Sequence, residues 1–128
     1  MAAFVEKHVR VFTALALLLF TLGCAKAAIE QKAFKEIKAK GGSVELRGKG
    51  PAITFSDVQI TDKDLACITP LEKVQSVTLM FVPITDEGLE HLLRLEKLTA
   101  FTYRKTGITP AGIDKLKKKF PEIVITEK

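Results

Sequence analysis

The sequence predicts an α/β fold: a short right-handed solenoid with parallel strands on its concave face and helices on its convex face, preceded by a capping helix and a hairpin. Three observations carry this. The segments Ile60-Thr61-Asp62, Ile84-Thr85-Asp86 and Ile108-Thr109-Pro110 recur with a fixed 24-residue period. The apolar positions that follow keep the same spacing, with Leu65, Ile68, Leu71, Val74, Val77 and Leu79 matched by Leu89, Leu92, Leu95, Leu98, Phe101 and Tyr103. Within each unit the apolar period changes from three residues to two, so each unit reads as a helical segment, a turn and then a strand.

The chain precedes this repeat with a leader. Lys7 and Arg10 stand before Val11–Leu22, an uncharged apolar run of twelve residues. That is the pattern of a signal peptide, and it falls short of the roughly 20 residues needed to span a bilayer. The run has no polar face, which argues against a surface helix of the folded body. Two ends for the leader overlap. Leu22-Gly23-Cys24 resembles a bacterial lipoprotein box, in which Cys24 would be the lipid-anchored first residue, although Thr21 and Leu22 stand where that box prefers Leu and a small residue. Ala25-Lys26-Ala27 fits ordinary cleavage after Ala27 instead. On either processing residues 1–27, the leader region, are not part of the fold, and the chain is assigned to the cell envelope, periplasmic or membrane-anchored, with secretion as the alternative.

Residues 28–56 read as the N-terminal cap. Ile29, Ala33 and Ile37 recur every four residues with Phe34 beside them, while Lys32, Lys35, Lys38 and Lys40 are left to face water. Gly41-Gly42 ends this helix. Val44–Arg47 alternates as a strand, Gly48-Lys49-Gly50-Pro51 turns the chain, and Ala52–Ser56 is the next strand. The connection is too short for a crossover, so the pair is expected to be antiparallel.

Residues 57–128 hold the repeats. Thr61 and Thr85, each followed by acidic residues, suit helix N-caps whose first turn favours negative charge. Gly88 and Gly112 occupy matched helical positions where Gly costs about 1 kcal/mol relative to Ala, which points to close packing between units. The third unit gains one residue before Phe120 and closes with Pro121, Ile123 and Ile125. Strands pair about 4.8 Å apart while packed helices need about 8–10 Å, so a stack of such units is expected to curve with its strands inside.

The L-x-x-L-x-x-L-x-x-L-x-L run followed by I-T-D-x-G-L, over about residues 52–126, resembles the leucine-rich-repeat family, in particular the short exported bacterial type with 24-residue repeats. The resemblance implies the solenoid and a capacity to bind proteins, and it implies no particular activity. One column departs from the family. The bend after each strand, which usually carries Asn, Cys or Thr, here holds Val58, Val82 and Thr106, so a weaker or water-mediated inter-unit ladder is expected in the first two units.

Composition and charge narrow the function classes. A chain of 128 residues with 47% hydrophobic residues has room for one domain. From Ala28 onward it holds 17 basic and 14 acidic residues, a net charge of +3 without a concentrated stripe, which does not suit nucleic acid. Enzymatic constellations are sparse. Cys67 and His91, one repeat apart, could bring a thiol near an imidazole, but helical phase puts both on the solvent side with no third group to orient them. No set of residues suggests a metal site or a cofactor. The residues alternating with the core strand positions, Thr54, Thr78 and Thr102 together with Ser56, Met80 and Arg104, form the concave face. They serve either strand propensity or a polar platform for a protein partner. Met80 and Phe81 are likewise either an adaptable contact patch or local packing beneath the next loop. Lys115, Lys117, Lys118 and Lys119 make the last helix basic, as a solvated helix end or as a weak contact for an anionic surface. The leading expectation is a non-enzymatic protein-binding module. The alternatives are a structural unit that self-associates through its ends and, more remotely, a thiol enzyme using Cys67 and His91.

Overall fold

In a computed structural model of the chain, residues 25–48 and 50–128 are described. The leader run and Cys24 lie outside them. The chain divides into two compact units, residues 1–32 and 33–128. Of the first, residues 25–32 are helical, and Ile29 there is 54% exposed. Among the described residues no helix is long and apolar enough to cross a membrane.

The second unit is an α/β domain on a five-stranded, mostly parallel sheet. It opens on the rest of helix α1 (25–39), which buries Ala33 and Ile37 in the core. Gly41 at φ +83° stops it: Gly41 N–H returns to the Lys38 carbonyl at 3.0 Å and Gly42 N–H to the Ile37 carbonyl at 2.9 Å. This pair of bonds satisfies carbonyls that the last turn would leave bare. Strand β1 (Ser43–Arg47) then pairs antiparallel with β2 (Gly50–Ser56), the hairpin expected from the short connection. A 3-10 helix (Asp62–Ile68), strand β3 (Ser76–Met80), helix α2 (Asp86–Leu92), strand β4 (Ala100–Arg104), helix α3 (Pro110–Lys119) and strand β5 (Val124–Glu127) complete it. A three-residue apolar spacing stacks side chains on one edge of a 3-10 helix, as at Leu65 and Ile68.

The strands lie in chain order, and β2 through β5 are all parallel. Parallel partners are always one repeat apart, as in Ala52↔Ser76↔Ala100↔Val124. The sequence period is therefore also the sheet register. Ile53, Phe55, Val77, Leu79 and Phe101 are fully buried and share one core with Ile37, Leu65, Ile68, Leu89, Leu92, Ile113 and Leu116 from the helices. Each such side chain contributes about 1.5–3 kcal/mol on burial.

Several expectations are corrected. Lys40 is not left to water: its Nζ lies 2.5 Å from Asp64 Oδ1 and ties the end of α1 to the first unit's 3-10 helix. Thr85 and Thr109 stand at the N-caps of α2 and α3 but make no side-chain bond to their own first turns. Asp62 of one unit accepts both the N–H and the hydroxyl of Thr85 in the next, each at 2.7 Å. Asp86 accepts the same two groups from Thr109, its N–H at 2.8 Å. Thr61, which has no preceding unit, uses Asp64 instead. Pro110 stands where the next Asp would be, and the series ends there. A Cβ on Gly88 would lie 2.7 Å from Asp62 Oδ1, and one on Gly112 would overlap Asp86. The two glycines thus make room for the carboxylates that join successive units.

At the bends after the strands, Asp57, Phe81 and Lys105 sit at φ 55°, 55° and 46°, each again one repeat from the next. The Asp57 N–H reaches the Met80 carbonyl at 3.0 Å and the Phe81 N–H reaches the Arg104 carbonyl at 2.9 Å. Main-chain bonds thus join successive strands at these bends, and in the next column Thr106 Oγ1 accepts the Ile108 N–H at 3.4 Å.

Candidate functional site

Alternation along the strands sends every second residue to the face of the sheet opposite the core. Register then lines them up. Thr54, Thr78 and Thr102 are direct neighbours on three strands, and Thr126 extends the row on β5. Ser43 on β1 pairs with Thr54 at the row's other end. Ala52, Ser76 and Ala100 form a second row of small side chains. Ser56, Met80 and Arg104 form the third, at the C-terminal ends of the strands. All the sequence-predicted face residues are therefore brought together. Thr54, Thr78, Thr102, Ser56 and Met80 are half-buried, while Arg104 and Thr126 are exposed. Thr126 was legible in the same repeat column but lay beyond the units counted as complete, and Ser43 joins the row only through the hairpin's register.

The third row borders the bends, and there the face gains both charge and a large ring. Phe81 is half-buried. Arg104 Cζ lies 5.2 Å and Lys105 Nζ 5.4 Å from the centroid of its ring. Both are cation–π distances, at which an exposed contact is worth about 0.5–1 kcal/mol. Phe81, Val82 and Pro83 line an open depression of about 480 Å³ together with Gln59, Thr85, Lys105, Thr106 and Gly107. Lys105 and Gln59 carry no periodic apolar signal, so pattern reading passes over them. Their places in the repeat columns of Phe81 and Pro83 were the available clue.

Cys67 and His91 do not share a solvent-facing site. Cys67 is only 7% exposed and belongs to the core. A three-residue turn puts it beside Ile68 on the inner side, where α-helical phase would have turned it outward. Burial pushes its thiol up to about 11, so it stays protonated near neutral pH and is a poor nucleophile. His91 is half-buried near the end of α2, with a buried Nδ1 that has no hydrogen-bond partner. Among the described residues no three His, Cys, Asp or Glu side chains are grouped to hold a metal ion.

The basic helix divides. Lys115 pairs with Glu90 of α2 at 3.0 Å, an exposed bridge between successive helices. Lys117, Lys118 and Lys119 occupy the last exposed turn of α3, where cations oppose the negative helix end. The sheet also leaves apolar groups at both margins: Leu46 on β1 is 83% exposed and Val124 on β5 is 64% exposed.

No protein-family model matches the chain. No curated protein matches it either.

Proposed function

We propose that this chain is a short leucine-rich-repeat solenoid, exported to the cell envelope, that binds a protein partner on the polar face of its sheet. The observation that carries the reading is the identity of sequence period and sheet register. A repeating unit that adds one strand and one helical segment each time, always in the same order, is the construction principle of a solenoid. It multiplies one surface position into a row, here Thr54, Thr78, Thr102 and Thr126. Such rows offer hydroxyl donors and acceptors on a hydrogen-bonded sheet, bordered by the cations of Arg104 and Lys105. Export rests on the leader, with Cys24 as the lipid anchor or cleavage after Ala27. The buried, protonated Cys67 weighs against thiol chemistry.

A photo-reactive side chain placed at position 78 or 102 tests the binding role. It is expected to capture a discrete protein partner in cell-envelope preparations, whereas one at exposed Lys97, in the turn before β4, is not. Equal capture from both sites would overturn the reading.

Self-association is the second reading, and the exposed Leu46 and Val124 at opposite sheet margins favour it. An edge strand with free backbone groups and an apolar side chain is a ready template for another strand. Sedimentation of the full chain over a range of concentrations decides between the two, since a persistent monomer excludes self-association.

A further inference from the structure

The geometry points to the bend that joins Phe81, Arg104 and Lys105 as the docking point for an acidic peptide segment of the partner, one that sets a carboxylate against these cations and an apolar side chain in the depression that Phe81 and Lys105 line. This deepens the protein-binding reading and rests on it.

The first ground is charge. Arg104 and Lys105 are sequence neighbours whose positive ends both lie over one ring. Among the described residues neither has a carboxylate partner, whereas the cations of Lys40, Arg47 and Lys115 each have one. Two like charges held at one ring repel each other, and an anion beside them relieves that repulsion. A guanidinium and an ammonium together favour a carboxylate, which accepts several hydrogen bonds at once.

The second ground is shape. The depression of about 480 Å³ is lined by apolar Phe81, Val82 and Pro83 together with polar Gln59, Lys105 and Thr106. That combination, apolar side chains with a cation among them, fits a side chain next to an acidic residue in an extended segment. A bare inorganic anion would leave the apolar lining uncovered.

The third ground is rigidity. Phe81 and Lys105 are held at positive φ by the bonds from the Phe81 N–H to the Arg104 carbonyl and from the Gly107 N–H to the Ile84 carbonyl, 2.9 and 2.7 Å long. The backbone that carries the ring and its cations is thus fixed before binding, so the ordering cost that remains falls on the side chains. The column also sets a direction. Asp57 is the third residue of this bend column, with its carboxylate accepting from Ser56 at 3.2 Å. An acidic segment is thereby repelled from the β2 end and drawn to the β4 end.

The test is a titration of the isotope-labelled full chain with a blocked Glu-rich nonapeptide containing one Leu, followed by amide shifts. The expected result is saturable change at Phe81, Thr106 and Gly107, weakened at least tenfold by added salt, by Gln in place of Glu in the peptide, and by Arg104→Gln with Lys105→Asn. Asn tolerates the left-handed backbone at 105, and circular dichroism confirms that the variant is folded. Changes confined to Lys117–Lys119, an equal response to the Gln peptide, or no saturable change would each overturn the inference. So would binding of phosphatidylglycerol vesicles that depends on Arg104 and Lys105 when the peptide does not bind. Partner capture at position 78 without peptide binding would overturn this inference alone. Peptide binding at Phe81 without any capture at 78 or 102 would overturn the wider polar-face reading instead.

Discussion

Replacing Gly88 by Ala separates two accounts of why a glycine stands inside a helix. For an ordinary exposed helix position the change would stabilise by about 1 kcal/mol, the difference in helix propensity. Here a Cβ would lie 2.6 Å from Ile84 Cγ2, 2.7 Å from Asp62 Oδ1 and 3.1 Å from Leu65 Cδ1. Ile84 and Leu65 are fully buried and have nowhere to swing. Asp62 can move only by lengthening its bonds to the Thr85 N–H and hydroxyl, both 2.7 Å long. Overpacking of this kind costs about 1–3 kcal/mol, and a weakened hydrogen bond adds about 1 kcal/mol. Set against the propensity gain, the net effect is a loss of about 1–3 kcal/mol, which for a domain of this size lowers the melting temperature by roughly 5–15 °C. Urea denaturation of Gly88→Ala, Asp62→Ala and the double variant measures it. Removing the carboxylate vacates part of the space that the methyl needs, so the double variant is expected to lose less than the sum of the single losses, with a coupling of at least about 0.5 kcal/mol. A Gly88→Ala protein as stable as the parent, or strict additivity in the double variant, would refute the close-approach account.

Gly41→Ala should destabilise as well, by about 1–2 kcal/mol for a left-handed residue with a side chain, with a further clash against Val58 Cγ1 at 2.6 Å; an unchanged denaturation midpoint would contradict it. The Asp64 carboxyl is held at about 2, first by the Lys40 ammonium and then by Thr61. Its folded value lies below the unfolded value of about 3.9, so the stability it contributes is present above about pH 4 and fades as the pH falls toward about 2. In Asp64→Asn, acid titration of stability over that interval should therefore be flatter than in the parent, and identical curves would argue against the contact. Asp86, lowered by the Thr109 hydroxyl and N–H, acts in the same direction. Cys67, with its thiol at about 11, should react with an aromatic disulfide reagent at mildly alkaline pH far more slowly in the native chain than in denaturant. Equal rates would place the thiol on the surface.

What could be read from the residues alone was whatever repeats or whatever acts locally. The repeat period, the change from three-residue to two-residue spacing, Gly41-Gly42 and the short turn before Ala52 were enough for the element order, the antiparallel hairpin, the parallel strands and the membership of the polar rows. Each of these depends on spacing or on the conformational limits of one residue type, and spacing survives without knowledge of the neighbours. Tertiary structure decided the rest because it depends on which atoms of successive units come into contact. Thr85 looked like a cap for its own helix, yet its partner is Asp62 of the preceding unit. Cys67 looked outward on an α-helical wheel, yet a 3-10 segment turns it into the core. Val58 and Val82 bring no polar side chain to their bends, and only the structure shows the left-handed Asp57 and Phe81 beside them bonding through the main chain to the next strand. The cations over Phe81 belong to the same group: neither Arg104 nor Lys105 has a pattern of its own, and only the register that sets Met80 against Arg104 brings them to the ring.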